Sequence, residues 1–432
     1  MGNELNSPIL EKNSFDLEND YLKFGLSSIQ GWKTQMEDYN FYSIDLLKNS
    51  NKKIDIFGIF DGNGGPEIAK YICTNFLDIL LSNHSFKEGN YLQSLKETFI
   101  EIDNSLTTEK VKEELIKISE EFRLKTDEEI SAINKMYGNG ENLPEKEIEQ
   151  IKCIKDILNP RNLIDFNISS FVGCSGTIIL ITNDKIYIAN AGNCRCIPID
   201  ENFEIITEKA NSLHSIQNEL EKKRIENSSS FEEKKFYPEL LLSSRGFGYF
   251  EYKENKWLKP EDQAVSSEPD VIEINYGDCK YLICGSHGFF DGNKDMKFYE
   301  KSNQDIADYF MEQIKNNKNK KISKIIEEYF DLVIPKDKKD EQNQDFMDNM
   351  TCIVIQFFER PKINYVEKKS EKNEKNPDKK KKMEKFQKKD ENNKSMKDLF
   401  SFFTNIHNKS DKNEKKLENS ASFSNLFKKK YN

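Results

Sequence analysis

Five carboxylates in this chain stand where acidic side chains can do chemistry. Glu37 and Asp38 follow Met36. Asp61 ends an apolar run and opens the turn Asp61-Gly62-Asn63-Gly64-Gly65. Asp291 closes His287-Gly288-Phe289-Phe290-Asp291, and Asp348 precedes Asn349-Met350-Thr351. Carboxylates at strand ends converge easily, and hard divalent cations demand oxygen ligands. A centre of this kind holds one or two ions and activates a water for attack on phosphorus or a carbonyl. Taken singly, each cluster says little: an Asp before a Gly-rich turn is usually a turn residue, and Met-Glu-Asp is more often a solvated face or a helix start. Zinc has less support. The eight Cys form no Cys-x-x-Cys pair and the chain holds only four His. Most cysteines lie in apolar stretches and read as reduced core thiols of a cytoplasmic protein.

These residues need elements to position them. Ile54–Phe60 reads as a buried strand, and Pro66 suits the first position of a helix. Ile68, Ala69, Ile72, Cys73, Phe76, Leu77 and Leu80 recur at helical spacing after it. A second helix is expected over Tyr91–Leu106. Thr177–Ile181 and Lys185–Ala191 read as strands joined by Asn183-Asp184. Further strands are expected at Val271–Ile274, Tyr281–Cys284 and Thr351–Phe357, and two helical stretches within 302–334. Residues 1–20 read as polar and irregular, and 107–160 as a charged helical insertion or flap.

Composition bounds the rest. The 432 residues carry 75 acidic and 65 basic side chains, a net charge of −10. The imbalance is uneven: residues 361–432 hold 21 Lys against 11 Asp and Glu, which leaves 44 basic and 64 acidic side chains in 1–360. An acidic body argues against nucleic-acid binding by the domain. With 30 Phe and 17 Tyr a large core can form. No apolar run is long enough to span a membrane, and the N-terminus lacks a signal-peptide core. The expected organisation is an N-terminal segment (1–22), a mixed domain (23–360) and a basic low-complexity tail (361–432).

The motifs, taken in order, resemble a known family. Gly31-Trp32-Lys33-Thr34-Gln35-Met36-Glu37-Asp38 looks like the opening motif of the metal-dependent type 2C protein phosphatases, the PPM family. Phe57-Gly58-Ile59-Phe60-Asp61-Gly62-Asn63-Gly64-Gly65 resembles their second motif. Cys174-Ser175-Gly176-Thr177, Ala189–Arg195, Ser244-Arg245-Gly246-Phe247-Gly248, Glu268-Pro269-Asp270, Gly288-Phe289-Phe290-Asp291 and Asp348-Asn349-Met350-Thr351 follow in the family's order. The resemblance implies an α+β fold, a four-layer αββα sandwich of two antiparallel sheets flanked by helices. It implies hydrolysis of phosphoserine and phosphothreonine by a water held between two Mn²⁺ or Mg²⁺ ions, without a phosphoenzyme. Asp61 then bridges the ions, Glu37 and the Gly62 carbonyl serve one of them, Asp348 serves the other, and Asp38 orients ligands or water from behind. Lys33 occupies the place of a phosphate-binding Arg, keeping the charge but losing the bidentate fork.

The departures from the pattern cluster at the chemistry. His287 stands where the family has a metal-binding Asp; it is either a neutral, poorer ligand or a tolerated replacement beside the site. Asn63 replaces a His often assigned as general acid, and an amide donates no proton usefully. Asn193 replaces an Asp linked to a third ion, which Asp291 alone holds poorly, and Tyr249 follows Gly248 where an Asp is usual. Two readings follow: a phosphatase with an eroded centre, or a pseudophosphatase that binds partners. Met1-Gly2 invites acylation, although residue 6 is Asn rather than Ser or Thr. One acyl chain with a basic tail gives weak membrane association. Apolar islands at Leu399–Phe403 and Phe423–Phe427 read either as docking peptides or as incidental aromatics in a solvated tail.

Overall fold

The computed structural model describes residues 4–48, 52–122, 168–207, 214–215, 218–228, 243–253, 255–290, 302–334 and 348–359. The tail, Asp291 and most of the expected insertion lie outside the described residues. The strands are β1 (Glu4–Glu18), β2 (Leu22–Lys33), β3 (Tyr39–Ser43), β4 (Asp55–Asn63), β5 (Gly173–Ile181), β6 (Lys185–Ala191), β7 (Arg195–Ile199), β8 (Phe247–Gly248), β9 (Asp270–Asn275), β10 (Tyr281–Gly285) and β11 (Met350–Phe357). They build two antiparallel sheets. The first runs β1-β2-β11-β10-β7; the second runs β3-β4-β5-β6-β9, with β8 beside β5.

Alternation along the strands makes the layers. In β4, Phe57 and Ile59 point between the sheets, where they meet Phe24, Leu282, Ile353 and Ile355. Ile56 and Phe60, of opposite parity, face outward onto α1 (Glu67–Ser82), α2 (His84–Glu88), α3 (Tyr91–Ser105) and a helix over 109–122, α4. The short α5 (Ile168–Phe171) joins this layer, and α6 (Glu219–Asn227) and α7 (His287–Phe290) follow later in the chain. In β11, Met350, Cys352 and Val354 face the other way, onto α8 (Asn303–Asn316) and α9 (Ile322–Val333). Helices, sheet, sheet and helices therefore stack in four layers, the sandwich the motifs imply.

Two local readings change. Pro66 sits at the cap position, one residue before the first helical one. Residues 4–18 are a strand, not irregular. Its composition is polar because β1 is an edge strand, paired on one side only, and half of it meets water. Among its described side chains, Phe15 and Leu17 pack toward the core between the sheets. Pro8 lies where the β1–β2 register breaks, between Glu4 and Ile9, where a missing N–H does least harm.

Candidate functional site

Strand ends from both sheets meet at one end of the sandwich. β2 stops at Lys33, and the chain turns through Glu37 and Asp38 into β3. β11 starts just after Asp348, and Met350 pairs with Ile29 on β2. β10 stops at Gly285, opposite Cys352, and leads into Ser286 and His287. β4 brings Asp61 from the second sheet. Two close approaches depend on glycine. A Cβ on Gly62 would lie 2.6 Å from the Glu37 carbonyl oxygen, and one on Gly288 would lie 2.2 Å from the Asn349 carbonyl oxygen. Only hydrogen fits at either place.

The contacts are specific. Lys33 Nζ lies 3.1 Å from Asp348 Oδ1 and 3.4 Å from Glu37 Oε2. The Gly62 N–H donates to the Glu37 carbonyl at 3.2 Å. The His287 N–H donates to Asp61 Oδ2 at 2.8 Å, which ties the two sheets together through the site. His287 Nδ1 lies 3.9 Å from Asp348 Oδ2. Asn63 donates to the Asp61 carbonyl at 3.4 Å and hydrogen-bonds the Tyr249 phenol. The structure thus gathers Lys33, Glu37, Asp38, Asp61, Gly62, His287 and Asp348, with Asn63 at the margin beside Tyr249. Asp291 lies outside the described residues.

Crowded buried anions set the electrostatics. Burial pushes the Glu37 carboxyl up to about 7, with Lys33 opposing and Asp348 adding to the rise. Burial, with Asp348 beside it, pushes Asp38 up to about 7; the Ser286 and Thr351 hydroxyls temper the rise. Burial raises Asp61 well above the carboxylate range, helped by Asp38 and Asp348. Burial alone would lower the Lys33 ammonium, but Asp348, Glu37 and Asp61 outweigh it and hold the proton more tightly than usual. Burial is thus the largest cause for Glu37, Asp38 and Asp61, and neighbouring carboxylates add to it.

A hard divalent cation suits this donor set. Asp38 Oδ2 is buried without a hydrogen-bond partner, an orphaned anionic oxygen that such a cation would satisfy. Among the described residues, no three His, Cys, Asp or Glu side chains close into a cage. Mg²⁺ and its like keep several waters and take one or two carboxylates rather than a full protein cage, so oxygen donors spread around a wet centre still fit.

Several contributors were not singled out from the sequence. Asn349 Oδ1 accepts the Glu37 N–H at 2.8 Å, and its Nδ2 donates to the Gln30 and Gln35 carbonyls at 2.7 and 3.2 Å. It holds the loop that presents Glu37 and Asp38. An ionic relay, buried except at Asp270, braces the neighbouring strand ends. His214 Nδ1 accepts the Gly192 N–H at 3.0 Å, and His214 Nε2 lies 3.2 Å from Asp270 Oδ2. Arg245 reaches Asp270 at 3.0 Å and Glu221 at 2.7 Å, and Arg224 reaches Glu221 at 2.7 Å. Hydrogen bonding from His214 draws the Asp270 carboxyl down to about 2 against burial, with Arg245 assisting. Asn193 is absorbed locally: its Oδ1 accepts the Ser175 hydroxyl at 2.7 Å. The visible hints were Ser244-Arg245-Gly246 and Glu268-Pro269-Asp270; Glu221 and His214 carried no signal because their partners are distant in the chain.

Comparison with known proteins agrees with this architecture. The family model described as "Protein phosphatase 2C" matches residues 22–119 and 133–340. The "Probable protein phosphatase 2C 21" of Arabidopsis thaliana is 30% identical over 365 residues, which cover 83% of this chain and 93% of that protein. The "Probable protein phosphatase 2C 6" of Paramecium tetraurelia is 29% identical over 359 residues, 83% of this chain and 100% of that one. Among solved structures, a phosphatase from Toxoplasma gondii superposes with a TM-score of 0.51 at 14% identity, covering 81% of this chain and 96% of its own. A serine-threonine phosphatase 2C from Toxoplasma gondii gives 0.50 at 13% identity, covering 82% and 98%. These two are likenesses of fold. By the family model and the plant relative together, the chain belongs to the protein phosphatase 2C family.

Proposed function

We propose that this protein hydrolyses phosphoserine and phosphothreonine in phosphoproteins with Mn²⁺ or Mg²⁺, and that its altered centre turns over slowly. The family is typically metal-dependent, and its activity implies phosphoprotein substrates. The observation that carries the reading is the meeting of Glu37, Asp38, Asp61 and Asp348 at one end of the sandwich, with Asp38 Oδ2 unsatisfied. Asp61, Glu37 and the Gly62 carbonyl would hold one ion; Asp348, with His287 and Asp291 as the remaining candidates, would hold the other. A bound divalent ion lowers the pKa of a water and so supplies the nucleophile for phosphorus.

The chain's own groups set the efficiency. Asp38, packed behind the others, orients water. Lys33 offers the phosphate a point charge without the fork of an Arg. Asn63 can hydrogen-bond the leaving oxygen but cannot protonate it. His287 brings an imidazole where the family has a carboxylate. Each missing decade of rate corresponds to about 1.4 kcal/mol of barrier.

The test is hydrolysis of p-nitrophenyl phosphate and of phosphopeptides with each ion. Slow turnover abolished by Asp61→Asn and raised by His287→Asp supports the reading. Absence of Mn²⁺ binding at millimolar concentration sinks it. The substitutions at His287 and Asn63 favour a second reading, a pseudophosphatase that binds partners. Under that reading the wild type binds phosphopeptide without hydrolysing it, and His287→Asp restores nothing. We place the protein in the cytoplasm, a reading supported by seven described cysteines that are all free. Weak membrane association through an acylated Gly2 and the basic tail is checked by myristate labelling and vesicle sedimentation.

A further inference from the structure

Lys33 faces the site from within. Its ammonium bridges Asp348 Oδ1 and Glu37 Oε2, at 3.1 and 3.4 Å, so a carboxylate from each side of the centre already has a cation against it. Asp348 Oδ1 also accepts the Asn349 N–H at 2.8 Å, and Oδ2 lies 3.9 Å from His287 Nδ1. The lysine side chain is 26% exposed and its partners only 10% and 16%, so the pair is shielded but the ammonium retains a path to water. A lysine suits that position in a way an arginine does not. The ammonium is a compact point charge on a flexible stem, able to leave one pair of oxygens and re-form contacts elsewhere; a planar guanidinium is held by paired bonds.

We propose that Lys33 is a resident counter-cation that competes with the divalent ion for Glu37 and Asp348, so that ion binding requires the ammonium to swing outward. The inference rests on the reading of the carboxylates as a metal centre and adds to it a residue that sets metal affinity. Three consequences follow. The metal-free protein keeps its acidic cluster folded because Lys33 neutralises part of it. The cation affinity of this chain is lower than its carboxylates alone would give. The released ammonium is delivered toward the mouth of the site, where a phosphate monoester would arrive.

Calorimetric Mn²⁺ titration of wild type, Lys33→Gln and Lys33→Arg tests this. Removing a competing charge a few ångströms from two carboxylates in a partly shielded site tightens Mn²⁺ binding by about tenfold or more in Lys33→Gln. Lys33→Arg, which keeps the charge but grips the carboxylates by paired bonds, binds Mn²⁺ more weakly than wild type. The metal-free Lys33→Gln protein melts below wild type, and saturating Mn²⁺ closes that gap; a merely structural lysine would weaken both states alike. Should Lys33→Gln fail to fold, the wild type decides. Limited acetylation read by mass spectrometry should show Lys33 labelled several times faster with Mn²⁺ than without it, with exposed Lys110 unchanged as the internal standard. Unchanged or weaker Mn²⁺ affinity in Lys33→Gln, or Lys33 labelling that stays level or falls with Mn²⁺ bound, overturns the inference and leaves the metal centre standing. Failure of wild type and variant alike to bind Mn²⁺ overturns both.

Discussion

Asn349 ties down three points of one distant stretch, residues 30–37, with one amide. Its partners Gln30, Gln35 and Glu37 lie more than 300 residues earlier, so no local pattern could have shown the role. Asn349→Ala strands two carbonyls and an N–H in a buried place. At roughly 1 kcal/mol for each lost bond, the cost is about 2–4 kcal/mol, read as a lower urea midpoint. Activity should fall more than stability, since the loop holding Glu37 and Asp38 loses its anchor. The acidic residues were legible in the sequence for the opposite reason: Asp61 and Asp348 sit at the boundaries of strands that can be read locally. Asp270 gives a pH test. Its folded pKa is about 2, below the ordinary 3.8, so its stabilisation is present above about pH 4 and is lost as pH falls through about 2. Wild type should therefore melt above Asp270→Asn at pH 5, and the gap should narrow steadily toward pH 2.

At the scale of elements, β1 and α9 complete each other. Lys321 at the N-cap of α9 offers no side-chain cap. Asp16 on β1 takes the place, accepting the Ser323 N–H at 2.9 Å and the Ser323 hydroxyl at 2.5 Å. An acid at a helix start also complements the helix dipole. Asp16→Ala should cost about 1–2 kcal/mol, measured by thermal or chemical unfolding, with catalytic constants per folded molecule unchanged. This pairing was hidden because the capping residue belongs to another element. Strands β4, β5, β6, β10 and β11 were readable from their apolar runs. β1 was not, since an edge strand with one wet side has the composition of a loop. The apolar period of α1 and α9 was equally clear, but which sheet each covers was beyond reach of periodicity.

Across the whole molecule, the inner faces of the two sheets share a single apolar interface among the described residues. Phe24 and Phe57 meet there edge to face, with ring centroids 4.9 Å apart. Phe57→Ala should cost about 3–5 kcal/mol by emptying that interface. Because Asp61 belongs to one sheet and His287, Glu37 and Asp348 to segments at the edge of the other, loosening the interface also pulls the acidic residues apart. Loss of Mn²⁺ binding and loss of the tertiary signal should then coincide on heating. The order of strands has a further consequence for biosynthesis. The second sheet is drawn from residues between 39 and 275, so all its strands are available while later parts of the chain are still being made. The first sheet seats β11 between β2 and β10, so it cannot close until residue 357 has emerged. A ribosome stalled before that point displays half a sandwich with its greasy side open, the sort of nascent species that holdase chaperones exist to cover.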